Sequence, residues 1–178
     1  MISLQKIKTI QGNDLATLSA HYSVFLIFLR HFGCIFCREA LRDLGLRNKQ
    51  FKEKNIRLVF VHMAPAEDAV KYFTQFNVEN YDNISDPKSE LYKEFGLKRG
   101  NFTQLYGLQT WIRGYKLHKE GIAFELPTIG DSLQLPGIFV ICDGKIKDSY
   151  IHRIIADKPD YDMLINCCSP EKSNQNIT

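Results

Sequence analysis

The sequence predicts a three-layer α/β domain with a central mixed β-sheet flanked by helices. Three observations carry that expectation. Short apolar runs alternate with stretches of helical period, the pattern of parallel strands joined by crossover helices. Late in the chain, Asp143-Gly144 separates two further runs and signals a hairpin, so antiparallel strands join the parallel set. Finally, 178 residues that are 44% hydrophobic and 24% charged can bury one core without disulfide staples.

Taken in order, residues 5–10 read as a short strand, followed by a turn at Gly12-Asn13-Asp14. Residues 22–30 hold the apolar run Val24 to Leu29, too short for a helix and suited to a strand buried on both faces. After Gly33 the period changes. Ala40, Leu41, Leu44 and Phe51 fall on one face, which predicts a helix over 35–54. Residues 57–62 form a second buried strand. Pro65 opens a helix with Ala69, Val70, Phe73 and Phe76 inward. A short strand over 81–85 precedes a helix that starts at Asp86-Pro87, carries Leu91, Tyr92 and Phe95, and is capped by Gly96. Residues 102–118 read as a helix or broken helix with a basic end, on which Trp111 fills core. Residues 121–132 are loop, 137–142 and 145–151 form the hairpin, and 160–168 the last helix. The domain therefore spans 1–168, and 169–178 is a polar, disordered tail.

Composition excludes several function classes. A net charge of +3 does not call for nucleic acid. The longest apolar run has six residues, where a membrane-spanning helix needs about 20. The first residues lack the apolar segment of a secretory leader. The expectation is a cytoplasmic chain with neither a nucleic-acid nor a membrane partner. Its five cysteines are then mostly reduced, and any pairing among them is catalytic or metal-binding rather than structural.

The chemistry concentrates in Phe32-Gly33-Cys34-Ile35-Phe36-Cys37-Arg38, where a buried strand turns into a helix. Cys34 falls at the helix N-terminus and Cys37 one turn further in. Unpaired N–H groups and the helix dipole stabilise a thiolate there. Cys34 can then form a mixed disulfide and Cys37 can resolve it. Arg30, His31 and Arg38 add positive charge. His31 is also the nearest imidazole, either a proton shuttle or a packing residue. The competing reading of the CxxC is a buried, inert pair. A zinc or iron–sulfur site lacks ligands, because adjacent Cys167 and Cys168 do not chelate one tetrahedral metal easily. The reading thus needs no metal and no cofactor.

Leu135-Pro136-Gly137 leads into the first hairpin strand. Pro136 either ends a loop or forms a cis bond that faces the CxxC and frees the neighbouring backbone for substrate. Cys142 alternates into the core. Cys167 and Cys168 offer an extra resolving thiol. His152-Arg153 is a surface pair or a substrate contact, and Arg113, Lys116 and Lys119 form a solvated face.

A β-CxxC-α unit followed by Pro and a hairpin resembles the thioredoxin fold. More narrowly, the segment from Phe28 to Leu41 is similar to the peroxiredoxin-like group of AhpC/TSA antioxidant enzymes. Asp86-Pro87 with the helix after it, and Gly130-Asp131 through Gln134-Leu135 to Val140, resemble further segments of that group. The resemblance extends over residues 15–168. It implies a thioredoxin-like domain of the peroxiredoxin-like 2 type, with Cys34 and Cys37 as the active dithiol, supported by His31, Arg38 and Pro136. It also implies a thiol reductant such as thioredoxin or glutathione, and a disulfide or peroxide substrate, lipid endoperoxides included.

Ordinary peroxiredoxins carry Pro and Thr where this chain has Ile27 and His31, and a peroxidase arginine where it has Pro136. Those groups orient and polarise a peroxide, so disulfide exchange is expected to outrun reduction of hydrogen peroxide. The alternative class is a thioredoxin-fold binding or redox-sensing module with no catalytic role.

Overall fold

The computed structural model describes residues 2–125 and 129–167. A 3-10 turn, Leu4–Lys6, precedes helix α1, Leu15–His21. There follow β1, Ser23–Phe28; α2, Ile35–Gly45; α3, Asn48–Glu53; β2, Ile56–His62; α4, Ala66–Gln75; and β3, Tyr81–Ser85. The second half comprises α5, Glu90–Glu94; α6, Phe102–Tyr106; α7, Leu108–Lys119; β4, Gly137–Cys142; β5, Lys145–Ile151; and α8, Tyr161–Asn166.

The five strands form one sheet in the order β3-β2-β1-β4-β5. β1 pairs parallel with β2 and antiparallel with β4, so the sheet is mixed and β1 is central. Alternation along β1 splits its side chains between two cores. Phe25 and Ile27 point to the side covered by α2, α4 and α8, with Phe60, Leu41 and Phe73. Val24, Leu26 and Phe28 point to the other side, with Leu15, Val59, Tyr92 and Phe139. A strand buried on both faces reads as an unbroken apolar run, and β1 is fully apolar after Ser23.

Several local expectations are corrected. The first segment is not a strand; it is the 3-10 turn followed by an isolated bridge between Lys8 and Asp14. Asp14 does not merely turn the chain. Its carboxylate accepts from the Thr17 N–H at 2.8 Å and caps α1. The helix expected over 35–54 is two helices. Gly45 packs on the backbone of residue 76, where an added Cβ would lie 2.0 Å from the Phe76 carbonyl oxygen, and the chain turns there into α3. Val70 is exposed, not inward. Asp86 lies before α5, and its carboxylate accepts from the N–H groups of Glu90 and Leu91 at 3.0 and 2.8 Å. The expected tail lies outside the described residues.

This architecture fixes the end of β1. Phe28 pairs with Gly137, so the start of β4 lies beside the strand that feeds the CxxC turn. From the opposite face the buried Tyr92 hydroxyl reaches the carbonyl oxygens of Leu29 and Val61, bridging the ends of β1 and β2.

Candidate active site

Residues 29–34 form the turn from β1 into α2. Phe32 anchors it, stacked on Tyr72 with ring centroids 4.5 Å apart and edge-on to Phe73. The Cys34 N–H donates to the His31 carbonyl at 3.1 Å, which closes the turn. Cys34 is then the N-cap residue of α2, in extended conformation, and the Arg38 N–H donates to its carbonyl at 3.0 Å. Cys37 follows on the first helical turn. Both cysteines are buried and unbonded to one another.

Their sulfurs are unequal. The Cys37 thiol donates to the Cys34 sulfur, and that contact is the main cause pulling the Cys34 thiol down, to about 6. Burial opposes the shift. The Arg30 charge and the backbone N–H groups of Cys37 and Phe36 favour the thiolate. Cys37 is held far above its ordinary value by its hydrogen bond to Cys34, by burial and by the charge of Cys34. Its sulfur meanwhile accepts from the Arg30 N–H at 3.4 Å. Two cysteines three residues apart thus divide into one thiolate and one thiol.

Arg30 is the cation at this site. Its guanidinium Nη1 lies 3.7 Å from the Cys34 sulfur, and its Nη2 donates to the Ser132 carbonyl. Arg30 is buried, and its Nε has no protein partner. Gly130, at φ +130°, lets the later loop approach this turn; an added Cβ would lie 3.0 Å from the Arg30 carbonyl oxygen.

The other two residues expected to supply charge do something else. Burial and the neighbouring Arg30 push His31 down to about 4, so it is neutral at physiological pH and adds no cation. Arg38 turns away from the dithiol. It pairs with Glu125 at 2.5 Å, and its guanidinium lies over the rings of Phe76 and Tyr72. The Glu125 N–H donates to the Gly33 carbonyl at 3.1 Å, so Arg38 clasps the 122–125 segment across the CxxC turn.

Pro136 lines a small cleft with Phe36, Cys37 and His152, on the Cys37 side of the dithiol. The Leu135–Pro136 bond is trans, which corrects the cis expectation. Leu135 is tied back to Lys98, and the Pro136 carbonyl accepts from the His152 N–H at 3.3 Å, so the segment enters β4 already extended. His152 is half-buried, and loss of solvent is the main cause that pushes it down to about 4.

On the Cys34 side lies a cavity of about 530 Å³. Arg30, His31 and Cys34 form its polar end. Ile35, Phe36, Leu105, Trp111, Tyr115, Phe124 and Ile155 supply an apolar wall. The Thr110 hydroxyl on this wall is buried without a protein partner.

This cavity was not read from the sequence. Its signal was the apolar series at 102, 105, 108, 112 and 115, of which only Leu105 is buried. Trp111, expected in the core, is 68% exposed and borders the cavity. Arg113, expected on a solvated face, is instead turned inward to Glu39 at 2.6 Å.

The remaining cysteines lie elsewhere. Cys142 is buried in β4, as expected, and is disulfide-bonded. Cys167 ends α8 near Asp148 of the edge strand β5, and Cys168 lies outside the described residues. Among the described residues no group of three or more His, Cys, Asp and Glu side chains converges as metal ligands would.

Residues 3–149 fit the AhpC/TSA family. The chain belongs to the AhpC/TSA family. Among curated proteins it is 30% identical to prostamide/prostaglandin F synthase of Danio rerio, over 82% of this chain and 74% of the relative. It is 32% identical to peroxiredoxin-like 2C of Bos taurus, over 42% of this chain and 33% of the relative. Among solved structures, a cysteine-to-serine mutant of peroxiredoxin 6 from Arenicola marina superposes with a TM-score of 0.64. The identity is 13%, over 93% of this chain and 71% of that one. That likeness bears on the fold, which is thioredoxin-like. Membership of the AhpC/TSA family makes this a redox enzyme in the general sense of its peroxiredoxin and thiol oxidoreductase members.

Proposed function

We propose that the chain is a dithiol reductase in which Cys34 is the nucleophile and Cys37 the resolving thiol, acting on bulky apolar peroxides. The observation that carries this reading is the Cys34 sulfur, held as thiolate beside Arg30 at the polar end of a large apolar cavity. The curated relatives named for prostamide and prostaglandin F are consistent with a lipid-sized substrate.

In the reaction the Cys34 thiolate attacks one peroxide oxygen and the O–O bond breaks. The departing alkoxide forms beside the Arg30 guanidinium and takes up a proton to become an alcohol. Cys34 is left as a sulfenic acid. Two of the causes that hold Cys37 protonated, its hydrogen bond to Cys34 and the Cys34 charge, then disappear. Cys37 attacks the Cys34 sulfur, water leaves, and a Cys34–Cys37 disulfide forms. Two equivalents of a thiol reductant, of the thioredoxin or glutathione class, restore the dithiol and leave as a disulfide. A disulfide substrate enters the same cycle through a mixed disulfide at Cys34.

The test is stoichiometric oxidation of the reduced protein by cumene hydroperoxide, by hydrogen peroxide and by a small disulfide, in parallel. The bulky hydroperoxide is expected to react fastest and to yield the intramolecular disulfide. Equal slow oxidation by all three, unchanged in a Cys34→Ser variant, would return the chain to the class of thioredoxin-fold binding modules.

A further inference from the structure

We propose that the exposed face of α6 and α7 docks on an anionic lipid surface, and that the cavity above Cys34 opens onto it. α7 carries Leu108, Trp111, Ile112 and Tyr115 at spacings of three and four, 76%, 68%, 63% and 63% exposed. This is an amphipathic stripe turned outward, where a surface helix of a globular protein ordinarily turns it to the core. Phe102 on α6, 77% exposed, extends it. Monomers rarely leave an apolar patch of this kind in water.

Charge selects the occupant. Residues 102–119 contain no Asp or Glu. Arg113 is spent on Glu39, which leaves Lys116 and Lys119 exposed at the end of the stripe. The Lys119 ammonium lies 4.7 Å from the centre of the Tyr115 ring. The next acidic residue, Glu120, is paired with Arg42. Trp and Tyr beside apolar residues, rimmed by lysines whose stems cover apolar surface, are the composition of an element lying in the headgroup plane. Among the described residues no helix is long and apolar enough to cross a membrane, so the contact is peripheral. Trp111 and Tyr115 belong both to this stripe and to the cavity wall, which places the cavity mouth within the docked face. Delivery of an oxidised acyl chain to Cys34 by that route rests on the redox reading above; the docking itself does not.

The probe is the full-length protein with vesicles of phosphatidylcholine alone or mixed with phosphatidylserine. Trp111 is the only tryptophan in the chain, so its emission reports the contact directly. Co-sedimentation and a blue shift are expected with the mixed vesicles, weakening as salt is raised. Lys116→Glu with Lys119→Glu should weaken binding about tenfold or more, and Leu108→Ser with Ile112→Ser should abolish it. A Cys34→Ser variant should bind like the parent, which separates docking from redox chemistry. Absence of binding to both vesicles overturns the proposal. So does binding that ignores the lysine changes, or a concentration-dependent dimer that shifts Trp111 emission without lipid, which would assign the face to a second copy of the chain.

Discussion

The guanidinium of Arg30 lies 3.7 Å from the sulfur of Cys34, and the same side chain is tethered to the carbonyl of Ser132. One cation, fixed by a loop a hundred residues away, biases the reactive thiol toward its charged form. Alkylation of Cys34 by iodoacetamide is expected to be flat at neutral pH and to fall away as pH drops through about 6, where the thiolate takes up a proton. Arg30→Met should move that midpoint upward by about one unit, and Arg30→Lys by less. A midpoint that stays in place in Arg30→Met would remove the cation from the account of the thiolate.

Arg38 is expected to behave in the opposite way. Its charge is engaged by Glu125 and aromatic faces, so Arg38→Met should leave the Cys34 midpoint unchanged. It should lower stability by about 1–2 kcal/mol, below the figure for a fully buried pair because Glu125 is 44% exposed. Urea unfolding of the two arginine variants, set beside their alkylation curves, separates electrostatic from structural roles.

Cys37 supplies the hydrogen bond that most favours the Cys34 thiolate. Cys37→Ala should therefore raise the alkylation midpoint, whereas Cys37→Ser, which keeps a donor, should raise it less. Both variants should accumulate mixed disulfides through Cys34 when treated with an aromatic disulfide, detectable by intact mass. Equal labelling of Cys34 and Cys167 in the parent would contradict the division of labour.

The cavity predicts a dependence on substrate size. Trp111→Ala removes an exposed part of the wall with little cost to the fold. kcat/KM for cumene hydroperoxide should fall by roughly tenfold, while the rate with hydrogen peroxide should not change. A parallel fall in both rates would show that Trp111 acts on the dithiol and not on the substrate.

The sheet was legible because its central strands are buried on both faces, and such strands write themselves as apolar runs bounded by turn residues. The CxxC was legible for a related reason: its placement depends only on the strand before it and the helix after it. What escaped depends on contacts distant in sequence. The break at Gly45 is set by the carbonyl of Phe76. The role of Arg30 is set by Ser132, and that of Arg38 by Glu125. Periodicity shows an apolar series on α7 but not which way it faces, and so does not reveal that Trp111 stays outside the core. The isomer at Pro136 has no signature in single-sequence patterns, since both forms suit an X–Pro bond. The cap on α1 was within reach, because Asp14 stands three residues before Thr17, but seven residues are too few for a period to stand out.

The link between Arg30 and Ser132 also has a meaning for biosynthesis. Cys34 leaves the ribosome early, and Ser132 follows nearly a hundred residues later. Until that carbonyl is in place the guanidinium has no tether, and β4 is absent from the side of β1. The Cys37 hydrogen bond is local to the turn, so what the late segment adds is the fixed position of the Arg30 charge beside the sulfur.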